Sequence, residues 1–157
     1  MKYLLTFLIS MIPLVELRGA VPYGYASGLT LWQALLIGVI GNMLPVPFIF
    51  FFSRRVLEWG KDKPIIGGFF TWCLKKGHSG GKKLEAVAGE RGAFWALLIF
   101  VGIPLPGTGA WTGTLAASIL DWKFKDSIIA VMLGVVLAGL IMGTLSYFFG
   151  LQALFTK

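Results

Sequence analysis

The chain is short of charge. Of its 157 residues only 13% are charged, against 57% hydrophobic, whereas a soluble domain carries about a quarter charged and about half apolar residues. Acidic groups are scarcest, seven against fourteen Lys and Arg, for a net charge of +7. A single cysteine, Cys73, excludes an intramolecular disulfide. With a single histidine, His78, it makes no metal-ligand set. No nucleophile–base pair, phosphate-cradling loop or metal constellation is present. These absences argue against an enzyme, and neither a metal nor another cofactor is expected.

Gly and Phe are abundant instead, 21 and 13 residues. Glycine is favoured in membrane helices, where it lets backbones approach closely. The length suits one compact unit. An all-α integral membrane domain over 1–157 is therefore expected. The positive charge could suggest nucleic acid, but its distribution does not. Arg54, Arg55, Lys61, Lys63, Lys75, Lys76, Lys82, Lys83 and Arg91 form one stretch between strongly apolar blocks. The positive-inside rule reads that stretch, 54–92, as cytoplasmic, and no nucleic-acid partner is expected.

Tyr3 to Val15 is apolar but shorter than the roughly 20 residues a crossing needs. Glu16 and Arg18 lie just upstream of any plausible cleavage position, so it is read as retained. Pro13, Gly19, Pro22, Gly24 and Gly28 follow closely, and each proline removes an amide donor and clashes with the turn before it. The pattern predicts two short helical arms with an irregular tip through 13–22. Such backbone is tolerated at membrane depth only when buried in protein or lining a wet cavity. A re-entrant hairpin meets that rule.

Leu31 to Phe52 is long enough to span, with a kink or break at Pro45 and Pro47. Val56 to Gly92 turns amphipathic, one or two helices on the inner membrane surface or on the protein's own cytoplasmic face, broken around Gly77 to Gly81. The second half then repeats the plan. Ala93 to Ile103 is a short apolar arm. Pro104, Pro106, Gly107, Gly109 and Gly113 follow it, and a second arm runs to Leu120. After the charged turn Asp121, Lys123, Lys125, Asp126, the stretch Ser127 to Gly150 is a second full span. Gly139 and Gly143 in it give a small-xxx-small face for packing within the chain or for a homodimer.

The halves echo each other in residues. Pro13-Leu14 then Gly19-Ala20 parallels Pro104-Leu105 then Gly109-Ala110; Ala26 matches Ala116, Trp32 matches Trp122, and Gly41 matches Gly134. Each half contains one complete crossing, so the halves have opposite orientation. The expected architecture is an inverted repeat: repeat one 1–53, linker 54–92, repeat two 93–157. Each repeat is a re-entrant broken-helix hairpin plus one transmembrane helix, and both termini are exterior. Secondary transporters place substrate sites where such broken helices meet.

A charge inside hydrocarbon costs at least about 2.5 kcal/mol and is rare without a function or a partner, so Glu16 and Arg18 lead the candidates. Burial disfavours an ionised carboxylate and a nearby guanidinium favours it, which suits Glu16 to proton exchange. Arg18 offers a donor fork for phosphate or carboxylate. Alternatively the two pair with each other or cap broken helix ends. Gly19 belongs to the same tip. At the second tip, Gly107, Gly109 and a helix start near Ala110 offer amides to an anionic group. Thr108, Trp111 and Thr112 add hydroxyls and a ring, and close packing of two hairpins is the other reading of this tip. Asn42 faces Glu16 and the tip carbonyls, or bonds between helices.

The run Glu16-Leu17-Arg18-Gly19-Ala20-Val21-Pro22-Tyr23-Gly24 and the second tip, Pro104 to Gly113, resemble the putative small multi-drug export protein family. That family is in turn similar to the DedA (VTT-domain) superfamily, with its two opposed re-entrant hairpins. The resemblance implies a prokaryotic plasma-membrane location and, from DedA, transport of lipid carriers such as undecaprenyl phosphate. DedA proteins typically carry arginines near the positions of Gly102 and Gly107, and this chain lacks them. The expected function is a proton-coupled secondary transporter moving an anionic lipid such as a polyprenyl phosphate, with membrane lipids as its other partners. The alternatives are proton-coupled export of small lipophilic cations, with Trp111, Tyr23 and Tyr25 as an aromatic wall, and a non-transporting scaffold gripping anionic lipid through the basic segment.

Overall fold

In the computed structural model, residues 1–13, 15–64, 67–105 and 108–150 are described, apart from the side chains of 69, 70, 73, 74, 76–88 and 90. The described chain is helical throughout. The elements are α1 (Lys2–Met11), α2 (Glu16–Ala26), α3 (Leu31–Met43), α4 (Val46–Gly60), α5 (Gly67–Gly102), α6 (Ala110–Ile119) and α7 (Phe124–Phe148).

Local chemistry sets most boundaries. Pro13 disfavours helical backbone in the residue before it, and Ile12 is extended, ending α1. Thr30 and Gln33 form a capping box at the start of α3, the Gln33 amide donating to the Thr30 hydroxyl and the Thr30 amide to the Gln33 side chain. Pro45 is the N-cap residue of α4 and Pro47 lies in its first turn, where a missing amide hydrogen is tolerated. The expected break in the first span is therefore present, between Met43 and Val46.

Three boundaries differ from the sequence reading. The irregular first tip is shorter than 13–22, because α2 starts at Glu16 and carries Pro22 inside it; neighbouring helices can re-satisfy the backbone groups that such a proline frees. The first apolar run continues as helix to Gly60, eight residues past Phe52. The linker does not break at Gly77 to Gly81, which are helical. Its break is at Gly89, with φ 66° and ψ 179°, a conformation that only glycine adopts readily. The amphipathic pattern expected of 56–92 rests largely on side chains outside the described set, those of Cys73 and His78 included.

Two helical runs, Leu31–Gly60 and Phe124–Phe148, are long and apolar enough to cross a membrane, and Lys2–Met11 and Arg91–Gly102 are shorter apolar helices. Large apolar side chains point outward: Leu36, Ile40, Phe48 and Phe52 on the first run and Ile129, Met132, Leu133 and Leu137 on α7 are exposed. Water would not tolerate so continuous an apolar surface on a monomer. The interior is built from small residues instead. Ala20, Ala34, Ala110, Ala117 and Ala130 are fully buried, as expected where close packing in lipid, rather than escape from water, joins helices.

Helices α1, α2 and α3 pack on one another, as do α5, α6 and α7; the groups meet where α2 and α3 lie on α7 and α4 lies on α6. Gly41 of α3 is seated on Phe7 of α1, and Gly134 of α7 is seated on Leu98 and Val101 of α5. Gly139 and Gly143 are both used inside the chain, against Leu35 and Leu17 and against Leu31 respectively. In the first half of α4, the Ser118 hydroxyl donates to the Phe50 carbonyl at 2.7 Å. Arg54 of the same helix pairs with Glu58 and, across to the α6–α7 turn, with Asp121.

Candidate functional site

The tips of the two broken helix pairs meet, and their polar groups satisfy one another. Glu16 is 4% exposed and opens α2 with a φ of 50°. A non-glycine residue held in that left-handed region stores strain and is a recurrent mark of functional sites. Its carboxylate reaches 94 residues along the chain to the start of α6. The Ala110 amide donates to Oε2 at 3.3 Å and the Trp111 amide to Oε1 at 3.0 Å. The first amides of a helix have no partner within it, and the helix dipole adds positive potential there. Gly109, the N-cap residue, contributes no side-chain cap; Glu16 supplies the cap from a distance.

Arg18 completes the junction from the next turn of α2. Its Nη2 donates to the Thr108 hydroxyl at 2.9 Å and its Nη1 to the Leu105 carbonyl. The Thr108 hydroxyl lies 2.7 Å from the Ile103 carbonyl and 2.9 Å from that of Leu105. It accepts from Arg18 and donates its one hydrogen to a carbonyl left over at the end of α5. Glu16 and Arg18 do not form an ion pair with each other; each reaches across to the other tip. Gly109 lets them do so. Its φ of 142° suits glycine, and a Cβ there would collide with the Glu16 carboxylate and lie 2.9 Å from Arg18 Nη2.

Of the residues singled out from sequence, Glu16, Arg18, Thr108, Gly109 and Trp111 come together. Gly19 follows in α2, beside Val15 and Ile9, and Thr112 sits half-buried in the first turn of α6. Asn42 is 1% exposed near the end of α3, and its Oδ1 has no hydrogen-bond partner. Gly107 lies outside the described residues. The sequence reading expected amides at a helix start near Ala110, and the Ala110 and Trp111 amides are used there; it missed the Leu105 carbonyl, a main-chain group that no side-chain pattern reveals. Among the described residues no cluster of His, Cys, Asp or Glu could hold a metal ion.

The junction is a seat for anionic oxygen: two helix-end amides, with a guanidinium alongside, converging where a carboxylate now sits. It is built where helix tips meet in an apolar, all-helical shell with two runs long and apolar enough to cross a membrane, the surface of a membrane protein. The chain belongs to the family described as Putative small multi-drug export protein, whose model matches residues 16–141. The match begins at Glu16 and takes in Arg18 and the second tip. Among curated proteins and among solved structures, no match to the chain was found.

Proposed function

We propose that the chain is a small proton-coupled secondary transporter, an inverted repeat whose substrate site is the junction of its two re-entrant tips. The observation that carries this reading is the Glu16 carboxylate on the Ala110 and Trp111 amides. An ionised Glu16 fills the seat and ties the tips together. A protonated Glu16 is a poor acceptor for two amides and leaves the seat to another anion. Carboxylate and substrate anion are then alternatives at one place, and their exclusion links a proton to each anion moved. The substrate class that fits is an anionic head group on a lipophilic tail, a polyprenyl phosphate among them, since the seat is surrounded by apolar helix surface.

The packing supports the repeat. Gly41 and Gly134 match in sequence, and each seats its span on the arm of its own half; α2 on α7 and α4 on α6 are the reciprocal contacts between halves. With the basic segment 54–92 inside, both termini are exterior. The family's description favours a second reading, export of small lipophilic cations that take the Glu16 carboxylate directly.

Liposomes containing the protein test both. Side-to-side movement of a labelled polyprenyl phosphate is followed for wild type, Glu16→Gln and Arg18→Ala. Movement by wild type that both substitutions abolish, with folding intact, supports the anionic substrate. Silence there with pH-driven uptake of a lipophilic cation moves the assignment to the second reading. Silence in both assays would contradict transport and favour a scaffold.

A further inference from the structure

Beside the start of α7 lies a small recess of about 40 Å³ whose lining includes Phe94, Trp122, Lys123, Asp126 and Ser127. It shares Phe94 and Asp126 with a neighbouring recess of about 220 Å³ to which Arg91 and Trp95 contribute. Two of its polar atoms lack partners. Ser127 is 3% exposed and its Oγ makes no hydrogen bond; the indole Nε1 of Trp122 is likewise buried and unbonded. Buried polar atoms in native proteins are normally satisfied, so two orphans on one recess call for a partner from outside the chain. The positive end of the 25-residue helix α7 lies at the same place.

The charges narrow the ligand. Indole N–H, hydroxyl and helix end, with Arg91 on the neighbouring recess, suit a phosphate. Asp126 lines both recesses, repels a simple anion and suits an ammonium group. A head group carrying phosphate and ammonium a few atoms apart satisfies both. Leu97 and Trp122 also bound a wholly apolar recess of about 210 Å³ with Phe100 and Leu120, which provides a path for an acyl chain. Phe94 and Trp95, near the start of the apolar helix Arg91–Gly102, are of the aromatic class that collects at membrane interfaces.

We propose that this recess binds an aminophospholipid, with its phosphoethanolamine head group between the α7 N-terminus and Asp126 and one acyl chain along Leu97, Phe100 and Leu120. The site is separate from the tip junction and stands whether or not the transport reading does. The test is native mass spectrometry of the purified protein from mixed micelles holding equal phosphatidylethanolamine and phosphatidylglycerol. Wild type retains one phosphatidylethanolamine per chain in preference to phosphatidylglycerol. Asp126→Asn lowers that preference about tenfold, the scale of a lost hydrogen bond to a charged group. Ser127→Ala weakens retention of both lipids, and Asp62→Asn, an exposed control, changes nothing. Melting curves establish that each variant is folded. Equal retention of the two lipids by wild type, retention of many lipids with no plateau at one, or an unchanged preference in folded Asp126→Asn would overturn the assignment.

Discussion

Glu16→Gln removes one charge and one acceptor while keeping the shape of the side chain. In the wild type both carboxylate oxygens accept, from Ala110 at 3.3 Å and from Trp111 at 3.0 Å. The glutamine oxygen can keep one of these bonds, but its NH2 group then meets the other amide donor to donor. A hydrogen bond to a charged group contributes about 1.5–3 kcal/mol, and a negative charge at a helix N-terminus about 0.3–1 kcal/mol more. Arg18, left beside the positive helix end without the carboxylate, adds a cost of the same sign. The junction therefore weakens by about 2 kcal/mol at the least, or about thirtyfold in the balance between joined and parted tips. Hydrogen exchange in lipid nanodiscs reads this directly. The Ala110 and Trp111 amides lose protection by that factor or more, while those of Val131 and Val135, buried in α7, keep theirs. Unchanged protection at Ala110 and Trp111 would refute the cap and the energetics drawn from it.

Gly109→Ala places a methyl against Glu16 and Arg18 at a backbone angle that disfavours it, and it destabilises by about 1–3 kcal/mol from the backbone alone, read as a lower midpoint in thermal unfolding. Gly134→Ala sets a Cβ 2.7 Å from Val101 Cβ and 2.8 Å from the Leu98 carbonyl, a cost of about 1–3 kcal/mol; Gly68→Ala, with nothing within 4 Å, leaves the midpoint unmoved. Asp121→Asn removes the pairing with Arg54 but keeps a residue tolerant of the φ of 63° there; the pair is partly exposed and its loss costs less than about 1 kcal/mol, so the melting curve barely shifts.

Much of this architecture was legible from residues. Proline spacing marked the break at Pro45 and the end of α1 at Pro13, because proline acts on its immediate neighbours and leaves a local signature. The break at Gly89 was not legible. Gly77, Gly80, Gly81 and Gly89 look alike in sequence, and which one leaves the helix depends on packing rather than on local preference. At the site, scarcity of charge exposed Glu16 and Arg18. Capping of a broken helix end was one of their readings, but which end each reaches stayed hidden, because the bonds join residues about 90 positions apart and end largely on main-chain groups. The second tip read as a vacant anion seat, and the first tip's carboxylate proves to fill it. The glycines at 139 and 143 matched a helix-pairing pattern that intrachain packing against Leu35 and Leu31 satisfies.

The central claim is that Glu16 and a substrate anion occupy the same seat in turn. Proton uptake on binding tests it most directly. The purified protein in weakly buffered detergent, at a pH where polyprenyl phosphate is fully ionised, is titrated with that lipid while a pH indicator is followed. Binding by wild type takes up about one proton per chain, since each head group displaces a carboxylate that leaves protonated, and Glu16→Gln binds with no uptake. Binding by wild type without proton uptake, or equal uptake by Glu16→Gln, would contradict the account.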